Sequence, residues 1–287
     1  MPFQLGALDV LREDTLDAFV SGNKFRKLIY NLEETKMQQK ECLLTFGGAY
    51  SNHIAAVAAA GKRLGFKTIG VIRGEELIRK KRNATLQFAQ SQGMHLHFVS
   101  REIYRQKEKP SYISELRKLF GDFFLLPEGG TNALAVKGCQ EILSERTKHY
   151  NYICTAVGTG GTLAGIVKAA QPYQRVIGFS ALNGTFQTSE VQKYTDNANF
   201  TILDTYCFGG YGKIDVGLVR FINDFKRNTQ IPLDPIYTGK MLYGIFDLAR
   251  KGFFEVNSKI LAIHTGGLQG IKGMNEKLVK KNLPQIE

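Results

Sequence analysis

The chain has 287 residues, 43% of them hydrophobic and 22% charged, with 30 glycines and 7 prolines, so it can bury one large core or two modest ones and is neither disordered nor low in complexity. Its 38 basic and 26 acidic residues give a net charge of +12, which favours anionic ligands. That charge is spread along the chain, densest at Arg79-Lys80-Lys81-Arg82 and again at Lys280-Lys281, with no interleaved aromatics or nucleic-acid motif, so no nucleic-acid partner is expected.

Met1 to Leu5 lack a basic region followed by an apolar stretch, so no signal peptide is expected, and no apolar run approaches the length of a membrane span. Leu8 to Leu11 reads as a strand. Next comes Ser21-Gly22-Asn23-Lys24-Phe25-Arg26-Lys27-Leu28, where Phe25, Leu28, Ile29 and Leu32 mark one apolar helix face. Asn23 is a good N-cap residue, which places Lys24 at the first helical position. There the helix dipole and the neighbouring Lys27 both disfavour a charged ammonium. An amine of lowered pKa can capture a carbonyl, whereas a lone lysine on a helix is otherwise simply solvated.

Leu43 to Phe46 reads as a strand and Asn52 to Leu64 as a helix, joined by Gly47-Gly48-Ala49-Tyr50-Ser51-Asn52-His53. Ser51 can cap that helix and leave N–H donors for a carboxylate, or it can be a plain cap. Further strands fall at Lys67 to Ile72, Leu96 to Val99 and Phe123 to Leu126, separated by helices near Ala84 to Ser91 and Ile113 to Leu119. His95 and His97 share a strand face without a third ligand, so no metal is expected. Gly129-Gly130-Thr131-Asn132 reads as a structural turn before a helix.

Tyr152 to Val157 is a strand that runs into Val157-Gly158-Thr159-Gly160-Gly161-Thr162-Leu163 and a helix. Such a turn can hold a phosphate on its backbone amides, or it can simply be tight. It is not a P-loop, and it makes a poor dinucleotide site. Leu163 stands where a third glycine belongs, and the strand at Val176 to Phe179 leads to no acidic residue. Strands at Ile202 to Cys207 and Ile260 to His264 flank helices near Val216 to Phe225 and Met241 to Lys251. Tyr211 and Tyr237 are each candidates for acid, base or donor, or for packing. His264 is either a pocket rim or a strand end. The four cysteines, Cys42, Cys139, Cys154 and Cys207, form no CxxC pair and fit buried reduced thiols of a cytoplasmic protein.

Strand–helix alternation predicts an α/β protein with parallel sheets. The number of units predicts two domains, a small inserted one at 41–135 and a larger one built from 1–40 and 136–287.

Gly22-Asn23-Lys24-x-Arg26-Lys27-Leu28, Gly47-Gly48-x-x-Ser51-Asn52 and Asp234-Pro235-x-Tyr237-Thr238-Gly239-Lys240 occur in that order. With the glycine turn at Gly158 they resemble the fold-type-II pyridoxal phosphate enzymes. More narrowly, they resemble the D-cysteine desulfhydrase and 1-aminocyclopropane-1-carboxylate deaminase family, from about Val10 to the C-terminus. The resemblance implies pyridoxal 5'-phosphate in a cleft between the two domains, a small amino acid as substrate and a homodimer. It implies Lys24 as the Schiff-base lysine, Asn52 on the ring hydroxyl, and Gly158, Thr159, Gly160, Gly161 and Thr162 on the phosphate. Ser51, Asn52 and His53 would hold the substrate, Tyr211 and Tyr237 would line its side, and Thr238 would face the pyridine nitrogen. Deaminases of this family carry glutamate where Thr238 stands, and His53 also matches the desulfhydrase branch. The expected activity is therefore β-elimination, with cyclopropane deamination and non-catalytic cofactor holding as alternatives. A nucleotide-binding oxidoreductase is opposed by Leu163. The resemblance also leads one to expect a segment before Leu8 that this sequence does not carry, which leaves open a shorter active subfamily or a weakened enzyme.

Overall fold

The computed structural model describes residues 5–287, so the reading of Met1 to Gln4 lies outside the described residues. Strand β1 (Ala7–Arg12) leads into helix α1 (Asn23–Met37). Then come β2 (Cys42–Gly47), α2 (Asn52–Leu64), β3 (Lys67–Arg73), α3 (Ala84–Ser91), β4 (His95–Val99), α4 (Arg101–Tyr104), α5 (Pro110–Phe120) and β5 (Phe124–Leu126). The second half runs through α6 (Ala133–Gln140), β6 (Tyr152–Val157), α7 (Gly161–Ala169), β7 (Arg175–Ser180), α8 (Gln187–Gln192) and β8 (Phe200–Leu203). It ends with α9 (Val216–Thr229), α10 (Thr238–Arg250), β9 (Lys259–His264) and α11 (Gly270–Val279).

Two parallel sheets result, one ordered β4-β3-β2-β5 and the other β1-β9-β6-β7-β8. Strands β2 and β6 are buried along their whole length, as continuous apolar runs covered by helices on both faces should be. Short polar residues start the helices. Ser51, Asn83, Asn132 and Asp215 each accept an N–H from the first turn of the helix that follows.

Two local readings are corrected and one helix is added. The cap of α1 is Gly22, not Asn23, so Lys24 is the second helical residue. Strand β8 stops at Leu203, because Asp204 turns the chain and accepts the amide of Cys207 on its carbonyl at 3.0 Å. The helix at Gly270–Val279 was not legible as such: three of its ten residues are lysine or glutamate and its apolar stripe is short.

Helices α1 and α6 join the two sheets. Their facing polar residues Asn31 and Asn132 exchange amide hydrogen bonds of 2.7 and 3.2 Å. At Gly138 a Cβ would stand 2.0 Å from the backbone oxygen of Arg26, so the helices approach backbone to backbone. Gly138→Ala should therefore wedge α1 from α6 and destabilise the protein by about 1–3 kcal/mol. A denaturant-unfolding midpoint unchanged from the parent would show that the helices can part without penalty.

Candidate active site

The carboxyl ends of β2, β6 and β9 point toward the start of α1, and the turns that leave them surround one cavity. Each turn is shaped by a steric demand. Gly22 has φ +61°, and a Cβ there would sit 2.0 Å from the oxygen of Thr265, just after β9. Only glycine lets α1 begin that close to β9. Its next amide, Asn23 N–H, donates to the same Thr265 oxygen at 3.3 Å. Asn23 then spends its side chain on a bridge. It accepts from Lys24 Nζ at 3.1 Å and donates from Nδ2 to Thr162 Oγ1 at 2.8 Å, which ties the lysine to the glycine turn before α7.

Lys24 lies on the cavity wall with its amine pressed down to about 7, first by burial and then by Lys27. Lys27, itself brought down to about 8 by burial, donates to the Gly129 oxygen at 2.9 Å and to Thr131 Oγ1 at 3.0 Å. Thr131 in turn meets Thr159 Oγ1 at 2.6 Å. Lys27 thus holds the turn after β5 against the turn after β6. Gly129, expected to be structural only, lines the cavity as well.

Two helix starts open into the same space. At α7 no side chain caps the N-terminus, Gly160 has φ +87°, and the amides of Gly161, Thr162 and Leu163 have no acceptor among the described residues. Such a start suits a phosphate. At α2, Ser51 Oγ accepts from Ile54 N–H at 3.3 Å, while the amides of Asn52 and His53 have no acceptor among the described residues. His53 is buried and bonds Thr45 Oγ1 through Nε2 at 2.9 Å, but its Nδ1 is buried without a partner. Burial, with Lys24 and Lys27 adding to it, holds its pKa well below the usual imidazole range.

The structure brings Lys24, Ser51, Asn52 and His53 together with Gly158, Thr159, Gly160 and Thr162, and with Tyr211 and Tyr237, around this one cavity. Burial raises the Tyr237 hydroxyl well above its ordinary range, and its ring centre lies 6.1 Å from that of Tyr211. Gly161 and Thr238 do not line the cavity. A Cβ at Gly161 would meet Thr131 at 2.7 Å, so the start of α7 has no room for a side chain there. Thr238 is fully buried, donates its hydroxyl to Asp234 Oδ1 at 2.8 Å and accepts the Asp234 amide at 3.0 Å. Among the described residues no aspartate or glutamate lines this inner cavity. Asp234, buried near it, is occupied by four donors: the amides of Ile236, Tyr237 and Thr238 and the Thr238 hydroxyl.

Other residues singled out in the sequence do not line this cavity. His264 is buried, with Nε2 at 2.8 Å from the Pro232 oxygen and Nδ1 accepting from Gly266 N–H at 3.2 Å, while Thr265 and Gly266 beyond it line the cavity. His95 and His97 both pack edge-on against Phe120. All four cysteines are buried and free. Lys240 has a role that sequence reasoning missed. It is fully buried and donates to the oxygens of Cys207 and Gly210, at 2.7 and 2.9 Å, which anchors the loop that carries Tyr211. A lysine inside an apolar helix face was the available signal.

Comparison with known proteins adds the family. The family described as "Pyridoxal-phosphate dependent enzyme" matches residues 10–266. A Pyrococcus horikoshii relative carrying the provisional name 1-aminocyclopropane-1-carboxylate deaminase is 31% identical, over 94% of this chain and 87% of its own. The Arabidopsis thaliana mitochondrial bifunctional D-cysteine desulfhydrase/1-aminocyclopropane-1-carboxylate deaminase is 27% identical, over 91% of this chain and 72% of its own. Among solved structures, an ACC deaminase homologue superposes with a TM-score of 0.82 at 28% identity, covering 95% of this chain and 88% of that one.

A lysine amine near 7 has a direct chemical signature. Acylation of the protein at graded pH, read peptide by peptide by mass spectrometry, should show Lys24 becoming reactive with a midpoint near 7. A Lys24 that titrates with the surface lysines would overturn the burial argument.

Proposed function

Because this chain belongs to the pyridoxal-phosphate-dependent enzyme family, we propose that it catalyses β-elimination on a small amino acid, with D-cysteine or a close analogue as substrate. Water is consumed, and pyruvate, ammonia and sulfide leave. The observation that carries the choice of reaction is that, among the described residues, no carboxylate side chain lines the inner cavity around Lys24.

The donor set fits pyridoxal 5'-phosphate. The uncapped start of α7 with its left-handed Gly160 suits the phosphate, and the orphaned Nδ1 of His53 is a buried polar atom that a ligand would satisfy. When bound, the cofactor supplies an electron sink for the electrons left at Cα once its proton is removed. In this reading Lys24 would hold the cofactor, and its Nζ, once free, would take the Cα proton. Its lowered pKa keeps a useful fraction of the amine neutral near pH 7. Asn52 bonds the ring hydroxyl, and Gly158 to Thr162 hold the phosphate. Ser51 and the amides of Asn52 and His53 receive the substrate carboxylate. Tyr237 and Tyr211 close the substrate side and can hand a proton to the leaving group.

Thr238 enters by what it does not bring. A carboxylate in contact with the ring nitrogen would keep it protonated, since opposite charge stabilises the charged form. Neutral Thr238, spent on Asp234, adds no such charge. A neutral ring is a weaker sink, sufficient for expelling a thiolate from Cβ and less so for opening an unactivated cyclopropane. The alternative, deamination of 1-aminocyclopropane-1-carboxylate, is favoured by the names of the relatives. We further expect a cytoplasmic homodimer, divided at about residues 40 and 135 into the inserted and the larger domain.

Two measurements test the reading. Reduction of the yellow holoenzyme with borohydride should fix the cofactor on the peptide that carries Lys24; label on Lys27 would overturn the assignment. Assayed for keto acid, D-cysteine should exceed the cyclopropane amino acid in kcat/KM and release sulfide. If the cyclopropane substrate wins, the deaminase reading replaces this one.

A further inference from the structure

Past Ser51, Gly129 and the Tyr211–Tyr237 pair, the cavity continues into an outer chamber whose charged side chains are Arg73, Arg101 and Lys277 against Glu76 and Glu128. Both carboxylates are committed. Glu76 pairs with Arg101 at 3.3 Å. Glu128 accepts the Tyr104 hydroxyl at 2.8 Å and lies 3.5 Å from Lys107. Lys277 stands 4.2 Å from the centre of the Tyr50 ring.

Arg73 is left over. It ends β3, the strand beside β2, so its side chain emerges next to the turn that starts at Gly48. One guanidinium nitrogen would lie 3.6 Å from a Cβ placed on Gly48, and the guanidinium carbon lies 5.6 Å from the centre of the Tyr104 ring. Among the described residues Arg73 makes no hydrogen bond or ion pair, although two carboxylates line the same chamber. A guanidinium presents a rigid fork of N–H donors that matches an oxyanion two bonds at a time. Here the fork is steadied by an aromatic ring, uncompensated, and adjacent to the turn proposed above to receive the substrate carboxylate.

We propose that Arg73 is a specificity-determining residue that binds a second anionic group, carried on the side chain of the amino acid that enters the site. Amino acids with an acidic side-chain substituent, whether carboxylate, phosphate or sulfonate, are then bound in preference to isosteric neutral ones, alongside the thiol substrate proposed above. This rests on the reading of the inner cavity as an amino-acid site; the identity of the bond broken does not enter it.

Aspartate and asparagine differ in charge and scarcely in shape, which makes them the probes. Each, as both enantiomers, is titrated into the holoenzyme and followed by the change in the cofactor's visible absorption, which requires binding and not turnover. Aspartate of the preferred hand should bind about tenfold more tightly than asparagine. Arg73→Gln should bring the ratio close to one, and Arg73→Lys should retain part of it. Equal binding of the two by the unmutated protein overturns the proposal, as does an unchanged ratio in Arg73→Gln. Equal weakening of both amino acids in that variant would show that Arg73 holds the α-carboxylate instead, and no spectral change with either probe overturns it too. A lack of keto-acid formation from D-cysteine would sink the elimination reading and leave this ratio untouched.

Discussion

A helix can start only where the backbone has room for it, and α1 starts with its first amide 3.3 Å from the oxygen of Thr265. Any side chain at residue 22 would collide with that carbonyl, so the Gly22 contact determines where the first turn of α1 lies. The rest follows from that placement. From one helical turn Asn23 reaches Thr162 after β6, and Lys27 reaches Gly129 and Thr131 after β5. The turn therefore touches the exits of three strands that belong to both sheets. Lys24, between Asn23 and Lys27, is held at the one place where all three exits meet.

Crowding lysines into such a place has an electrostatic cost, and the structure meets it in two ways. Lys27 and Lys240 are fully buried and satisfied by carbonyl and hydroxyl oxygens, without a carboxylate partner. A buried ammonium with dipolar partners alone is held less firmly than one in an ion pair, and both have amines brought down to about 8. Lys24 has a single weak acceptor in Asn23 and goes lower, to about 7. The clamps and Lys24 thus share one chemistry, burial of an amine, and Lys24 goes lower because the neighbouring charge of Lys27 adds to it.

Eight of the nine strands among the described residues were placed nearly to the residue, most sharply the central ones, because parallel strands covered on both faces must read as apolar runs. The glycine turn at Gly158 and the Ser-Asn turn were legible because backbone approach and capping restrict residue type so strongly. What the sequence hid depends on distant partners. Asn23 has the chemistry of a cap but is drawn off to Thr162, 139 residues away. Thr238 reads as a site residue by its neighbours, yet Asp234, four positions earlier, claims its hydroxyl. Arg73 was unmarked because an arginine at a strand end is ordinary until the commitments of Glu76 and Glu128 are known.

The pairing of β1 has a consequence for how the chain comes together. The four-stranded sheet is complete once residue 126 has been made, and its helices can cover it at once. Strand β1 has a single neighbour, β9, with Ala7 paired to Lys259, so it waits for almost the whole chain. Contacts between such distant segments carry a large loop-closure cost and form slowly. Since Thr265 directly follows β9, the contact that positions Lys24 is assembled among the last. A nascent or C-terminally shortened chain can therefore hold one finished sheet and still lack the place where Lys24 sits.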